Sequence, residues 1–293
     1  MMSQDVTGDS MRSTSLPHLV IIGLAGLAAQ SALRGQGAFE TPNKFYASAS
    51  WQFVSIDTEA RLVRRGALGA SVGINFEDTF DIPVQKQAWA VDGSWRMAPR
   101  HLLDVGYMAI NRIGDRTITR DISWGDYTFA ANAKVRATFD TTFPYLGYRY
   151  GFYEGGDLEM SVGGGISYLH IGMGLSATGT VTNAVTGAVT TSAGKSGSFD
   201  LPVPLLAFQI DGRISKDWFM SGYLRPFFIS TGDFRGGMNV LGITANWFPS
   251  QHYGIGLGVE RTLIDIQRVR SGDYEARFRY NISGLKASAL FRF

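Results

Sequence analysis

The sequence predicts an all-β fold: an up-and-down antiparallel transmembrane β-barrel, most simply of ten strands. Three observations carry that expectation. Apolar and polar residues alternate with period two in segment after segment from Asn43 onward, which marks strands with one apolar and one polar face. Short turns alternate with long, polar or Gly/Ser/Thr-rich connections, the asymmetry of barrels whose turns are short at one membrane face and long at the other. Aromatic residues collect near strand ends, as interfacial girdles do: Phe45, Trp51, Trp89, Trp95, Tyr148, Tyr150, Phe152, Trp218, Phe228, Trp247, Phe248, Tyr253 and Phe293.

The elements follow in order. Phe45, Ala47, Ala49, Trp51 and Phe53 alternate with Tyr46, Ser48, Ser50 and Gln52. Trp89 to Arg96 repeats the pattern and ends in the turn residues Ala98-Pro99-Arg100-His101. Leu103, Val105, Tyr107 and Ala109 oppose Asp104, Gly106 and Met108. Lys134 to Phe152 comes back, with a phase slip expected near Pro144, to a turn at Glu154-Gly155-Gly156-Asp157. Leu158 to Met173 rises again; Leu206, Phe208, Ile210 and Ile214 lead down to Ser215-Lys216-Asp217. Met220 to Arg225 and Leu241 to Trp247 precede a fourth turn at Pro249-Ser250-Gln251-His252, after which Ile255, Leu257 and Val259 rise. Four short turns imply five up-down pairs, hence ten strands with both ends on the periplasmic side. Eight is the rival count if one hairpin lies outside the membrane, and twelve follows if Ala67 to Phe76 pairs as well. Asp57–Lys86, Asn111–Ala131, Ser176–Asp200 and Thr231–Gly237 are expected as the external connections.

The closing segment, Tyr274 to Phe293, is the clearest strand. Tyr274, Ala276, Phe278 and Tyr280 alternate with Glu275, Arg277, Arg279 and Asn281; beyond Ser283-Gly284 the phase moves by one, and Leu285, Ala287, Ala289, Phe291 and Phe293 alternate with Lys286, Ser288, Leu290 and Arg292. A one-residue slip at a glycine predicts a β-bulge.

Composition narrows the classes. At 293 residues the chain fits one β domain. A mean hydropathy of zero suits strands that dilute their lipid-facing side with lumen residues, and excludes a helical membrane protein. The absence of cysteine excludes disulfide scaffolds and thiolate metal sites. A net charge of +2 without a basic block argues against nucleic acid as a partner. Leu19 to Leu33 is an apolar run of signal-peptide length with Arg12 ahead of it, so residues 1–31 are expected as a signal peptide, 32–43 as a short lead and 44–293 as the barrel. Asp5 and Asp9 are odd in a leader, and a start at Met11 removes them. Cleavage is placed near Ser31, with Gly35-Gln36-Gly37 as a second candidate.

Gly69 to Asp78, Ser94-Trp95-Arg96 with Pro99 to Tyr107, Ile122 to Asp126 and the closing strand together resemble a family of uncharacterised bacterial outer-membrane β-barrel proteins, distantly similar to small OmpA- and OmpW-type barrels. The likeness covers most of the mature chain. It implies a Gram-negative outer-membrane location, outer-membrane lipids and lipopolysaccharide as surroundings, and Phe291 and Phe293 as the assembly signal read by the barrel assembly machinery. It supplies no catalytic residue, cofactor or metal ligand.

The polar faces collect Asp92, Arg96, Asp104, Arg136, Asp140, Arg149, Glu159, Asp211, Arg213, Arg225, Glu260, Arg277, Arg279 and Arg292 as expected lumen charges. Interleaved signs predict ion pairs across a narrow interior that side chains largely fill. Asp211 and Arg225 are expected at one depth, as opposite charges on neighbouring strands. Enzymes of this class need a histidine beside a serine or carboxylate. Of four histidines, His18 falls in the leader, His101 and His252 in turns, and His170 on a strand of ambiguous direction. No HExxH spacing or phosphate-binding glycine loop occurs, and Gly163-Gly164-Gly165 reads as room for close packing. The leading expectation is a structural or surface-interaction barrel, not an enzyme, with a charge-paired lumen. The alternative is a narrow porin-like channel or small-solute carrier, with anion preference if Arg277 and Arg279 form an unpaired ring. A lipid-modifying enzyme trails both.

Overall fold

Fourteen elements build the chain in the computed structural model, which describes residues 44–64, 71–124, 127–183, 185–231, 234–269 and 274–293. The expected leader, residues 1–31, and the lead to residue 43 lie outside the described residues. Strands are β1 (Phe45–Arg64), β2 (Ser71–Asn75), β3 (Gln85–Ala98), β4 (His101–Thr117), β5 (Ile122–Trp124), β6 (Tyr127–Phe129), β7 (Lys134–Gly155), β8 (Leu158–Asn183), β9 (Val189–Arg213), β10 (Trp218–Thr231), β11 (Phe234–Trp247), β12 (Tyr253–Val269) and β13 (Tyr274–Arg292), with one short helix, α1 (Phe76–Phe80), after β2. Ten of the strands close an up-and-down antiparallel barrel in the order β1-β3-β4-β7-β8-β9-β10-β11-β12-β13. The seam between β1 and β13 is paired without interruption from Tyr46↔Arg292 to Arg64↔Tyr274. The remaining strands are accessories near the far end: β2 folds back on β1, while β5 and β6 extend the sheet beside β8.

The short turns fall where the sequence places them, and the long connections do not stay loops. Ser176 to Asp200 is almost wholly strand: β8 runs to Asn183, β9 starts at Val189, and Ala177 pairs Ala193. Likewise β10 runs to Thr231 and β11 begins at Phe234. These stretches carry small and polar residues on both faces. Such a strand has no apolar side to show in a sequence, yet its backbone pairs as well as any other. The segment from Ala67 to Phe76 contributes β2, which pairs with β1 without becoming a barrel strand.

The phase slips expected at Ser283-Gly284 and Pro144 are absent. β13 keeps one register against both neighbours through Gly284, and β7 keeps one register through Pro144. What changes there is the environment. In the turn-side half of β1 the outward residues are Trp51 and Phe53 and the inward ones Ser48, Ser50 and Gln52; further along, Val54 and Ile56 face inward and Asp57 faces out. β13 repeats this, from outward Leu285 with inward Lys286 to outward Arg279 with inward Tyr280. β7 and β8 do the same, passing from outward Leu146 and Ile166 to inward Phe139 and Leu169. The polar and apolar faces thus exchange along straight strands. Actual register shifts lie elsewhere, at Gly151/Tyr153, Arg96/Ala98 and Thr178/Val181.

That exchange divides the molecule into two storeys. In the turn-side storey the wall is apolar outside, with Trp51 52 % exposed, Leu206 56 % and Leu257 66 %. On β1 this belt runs from Phe45 to Phe53, matching the roughly 9–11 tilted residues that cross a bilayer core. A ring of exposed side chains this apolar is far larger than the isolated patches of water-soluble surfaces. In the far storey the outside is polar and the inside forms the hydrophobic core: Val54, Ile56, Phe76, Phe80, Ile110, Phe139, Leu169, Val203, Ile264, Tyr280 and Ile282 belong to one cluster.

Candidate functional site

The lumen is the candidate site, and its two storeys differ in chemistry. The far storey is closed from within by α1. Asn75 caps the helix, its side chain accepting from the Asp78 amide at 2.9 Å, which satisfies one of the donors a helix start leaves free. The helix turns Phe76 and Phe80 inward, and the Phe76 ring meets Phe139 edge-on at 5.8 Å. Phe139 in turn lies 5.5 Å from Tyr280 of β13, so rings from β7 and β13 meet across the interior.

Within this apolar storey sits one ionic cluster. Arg112, 0 % exposed, donates through Nη1 to Glu77 Oε1 and through Nη2 to Thr58 Oγ1 at 2.6 Å. The Thr58 amide donates to the other carboxylate oxygen, Glu77 Oε2, at 2.9 Å. The guanidinium also faces the Phe139 ring at 4.8 Å and the Tyr280 ring at 5.7 Å. Charge on Arg112 is tolerated there because a carboxylate, a hydroxyl and two π faces replace water. Both partners stand in stretches that the sequence presents as external connections, and no local pattern announces either.

The turn-side storey holds a cavity of about 230 Å³ lined by Asp92, Arg96, Asp104, Arg149, Glu159, Asp211, Arg225 and Arg292 among others. A recess of about 70 Å³ lies deeper, with Glu260 in its wall. Ion pairs do span this interior. Arg149 binds Asp104 with two nitrogens, Nη2 to Oδ1 at 2.9 Å and Nε to Oδ2, and reaches Ser161 Oγ at 2.7 Å. Arg96 places Nη2 at 2.7 and 3.0 Å from the Glu159 oxygens. Lys286 lies 3.0 Å from Asp92 and 4.0 Å from Glu260, whose carboxylate also accepts from the Tyr223 hydroxyl. Arg213 stands at the rim, 2.8 Å from Asp157. Arg292 rests over the rings of Phe248, at 3.9 Å, and Phe219, at 5.0 Å.

Four expected lumen residues face the other way. Arg136, Asp140, Arg277 and Arg279 lie on the outer wall above the apolar belt, where the outside is polar. Arg277 pairs with Asp265 at 2.5 Å, and Arg279 reaches Asp265 at 3.4 Å and Glu59 at 3.5 Å, so these two form no unpaired basic ring in the interior. Arg136 is 4.0 Å from Asp115. The expected Asp211–Arg225 pair is also absent. The register sets Asp211 opposite Ser221, four residues short of Arg225, and Asp211 accepts from Gln209 at 2.9 and 3.0 Å instead. Lys286 joins the lumen charges; its place on the polar side of the closing strand was the available signal. Tyr145 packs across Gly165, where an added Cβ would come within 2.7 Å of its ring, so the glycine run does serve close packing.

His170 faces outward above the belt, its Nδ1 2.6 Å from Asp200 on the paired strand. His101 contacts the Tyr148 hydroxyl at 2.6 Å and His252 the Arg292 carbonyl at 3.0 Å. Among the described residues no serine or threonine hydroxyl is hydrogen-bonded to a histidine, and none form a cluster of three potential metal ligands.

The fold and lumen define a class, the closed up-and-down β-barrel with an apolar outer belt. No family model matches the chain, and no curated protein matches it. Among solved structures it is similar to the Pseudomonas putida toluene transporter TodX, at 7 % identity over 86 % of this chain and 91 % of that one, with a TM-score of 0.34. It is similar to Ail, the attachment invasion locus protein of Yersinia pestis, at 8 % identity over 84 % and 99 %, TM-score 0.25. A third is the transport unit of the autotransporter AIDA-I from Escherichia coli, at 7 % identity over 92 % and 97 %, TM-score 0.39.

Proposed function

We propose that this chain is an outer-membrane β-barrel whose role lies at the cell surface, and that its lumen is a packed interior rather than a standing pore. The observation that carries this reading is the filling of the far storey by α1, Phe139 and Tyr280 around the Arg112–Glu77 pair. A second feature supports it: β8 and β9, of 26 and 25 residues, are more than twice as long as a bilayer crossing needs, and they carry a paired sheet beyond the belt. In this reading a leader ending near Ser31 directs export. The barrel assembly machinery engages the strand ending in Phe291 and Phe293, and lipopolysaccharide surrounds the polar outer wall.

The test has two arms. An epitope placed between Thr186 and Gly187, at the β8–β9 tip, is expected to be reached by antibody on intact cells, and purified protein is expected to be silent in a planar bilayer. An unreachable tip would refute surface display. Steady unitary conductance would favour the second reading, a narrow channel or small-solute carrier, to which the 230 Å³ cavity at the turn end gives a specific motive.

A further inference from the structure

The cations that line the inner part of the turn-side cavity are tied to carboxylates, with one exception. Arg149 holds Asp104, Arg96 holds Glu159 and Lys286 holds Asp92. Arg225 has no such partner: its guanidinium carbon lies 4.6 Å from the Tyr145 ring centre and 5.0 Å from that of Tyr223, and among the described residues it makes no hydrogen bond or ion pair. Contacts with ring faces leave the five N–H donors of a guanidinium unused. The Tyr145 hydroxyl beside it is buried and also lacks a partner.

Position makes this pair informative. Arg225 lines both the 230 Å³ cavity and the 70 Å³ recess, so it stands where they meet. Beyond it the recess has an apolar side of Met108, Phe143, Leu205, Met238 and Val240 and a polar side of Ser167, Thr262, Asp92 and Glu260, the two carboxylates being held by Lys286 and the Tyr223 hydroxyl. A free planar fork of donors therefore stands at the mouth of a small pocket with one apolar side.

We propose that Arg225 and Tyr145 form a binding site for a small monocarboxylate with a short apolar tail, entered from the turn end of the barrel. The carboxylate takes the guanidinium edge in a two-point hydrogen-bonded pair, a geometry that favours a planar anion over a tetrahedral one. Tyr145 donates its hydroxyl to a carboxylate oxygen, and the tail enters the recess. Arg292, the other cavity cation without a carboxylate, stacks on Phe219 and Phe248 at the rim and gives its Nε to the Gln251 carbonyl, so it does not offer an equivalent site.

The experiment uses protein folded in detergent micelles, so it reads the site whether or not the surface role holds. Butyrate is titrated by calorimetry into the native protein, Arg225→Gln, Arg225→Lys and Tyr145→Phe, each first checked for heat-modifiable migration. Saturable butyrate binding is expected, weakened about tenfold or more in Arg225→Gln, as loss of a charge-assisted pair implies. Arg225→Lys should recover only part of it, acetate should bind more weakly than butyrate, and inorganic phosphate should not displace it. Should Arg225→Gln fail to fold, Tyr145→Phe carries the test through a measurable loss of affinity. No saturable binding, or equal binding by the native and Arg225 or Tyr145 variants, overturns the site. Displacement by phosphate as effective as by butyrate overturns the carboxylate assignment.

Discussion

Arg112 is the residue whose partners hold the far storey shut. It is wholly buried among aromatic rings, and Glu77 is the carboxylate that balances it. Glu77→Ala leaves an uncompensated charge in an apolar interior, a loss of about 3–5 kcal/mol where such pairs have been broken. The expected outcome is a lowered urea midpoint in micelles together with new bilayer leak, as α1 loses its anchor. Replacing both partners by apolar residues, Glu77→Leu with Arg112→Met, should recover most of the midpoint; no recovery would mean that the ionic cluster does more than fill space. A second comparison concerns the turn-side storey. Asp104 is buried and doubly bonded to buried Arg149, whereas among the described residues Asp211 accepts hydrogen bonds from Gln209 alone. Asp104→Ala should therefore cost several times more stability than Asp211→Ala, measured as the shift in unfolding midpoint. Equal shifts would show that water reaches both carboxylates freely.

The element that closes the molecule is β13. Its seam with β1 ends in a reciprocal pair of backbone bonds, Phe293 N to Phe45 O at 2.9 Å and Phe45 N to Phe293 O at 3.1 Å, and the Phe293 ring stacks on His252 at 5.6 Å. Deleting Phe293 removes both bonds and the stack at the point where a barrel either closes or frays. Slower insertion and more degradation are expected, read as less folded protein in the membrane fraction at native expression. Undiminished levels would remove the assembly role from this residue. β13 also shows why period-two reading misleads at mid-strand. An apparent one-residue slip was legible at Ser283-Gly284, but the pairing keeps one register there; what changes is the character of each side, from an apolar outside and polar lumen to a polar outside and a hydrophobic core.

At the scale of the whole molecule, the apolar belt makes the barrel's environment testable. Purified protein is expected to require detergent, to co-fractionate with outer membranes and to migrate faster on gels unheated than boiled. Folded protein recovered in buffer alone would contradict a lipid-facing belt. The two storeys further imply that stability is unevenly spread. The far storey encloses one contiguous cluster of buried hydrophobic residues, while the turn-side storey relies on ion pairs around a cavity, so local opening is expected first in the latter by hydrogen exchange.

The sequence by itself determined the ten-strand up-and-down barrel, the four tight turns and the strands that carry the turn-side cavity. Alternation and turn chemistry are local properties, and Asp92, Arg96, Asp104, Arg149, Glu159 and Asp211 lie on strands whose two faces differ plainly. It also placed Arg136, Asp140, Arg277 and Arg279 in the lumen, on the rule that charge faces inward, and that rule ends where the apolar belt ends. Only the tertiary structure decided which carboxylate meets which cation, because the register between β9 and β10 sets Asp211 opposite Ser221, four residues from Arg225. The plug likewise belongs to the tertiary structure alone. Glu77 and Arg112 are 35 residues apart in sequence, in segments that look polar, and their burial follows from the folding of α1 back into the barrel. A charged residue carries no local mark of the low-dielectric interior that long-range packing will build around it.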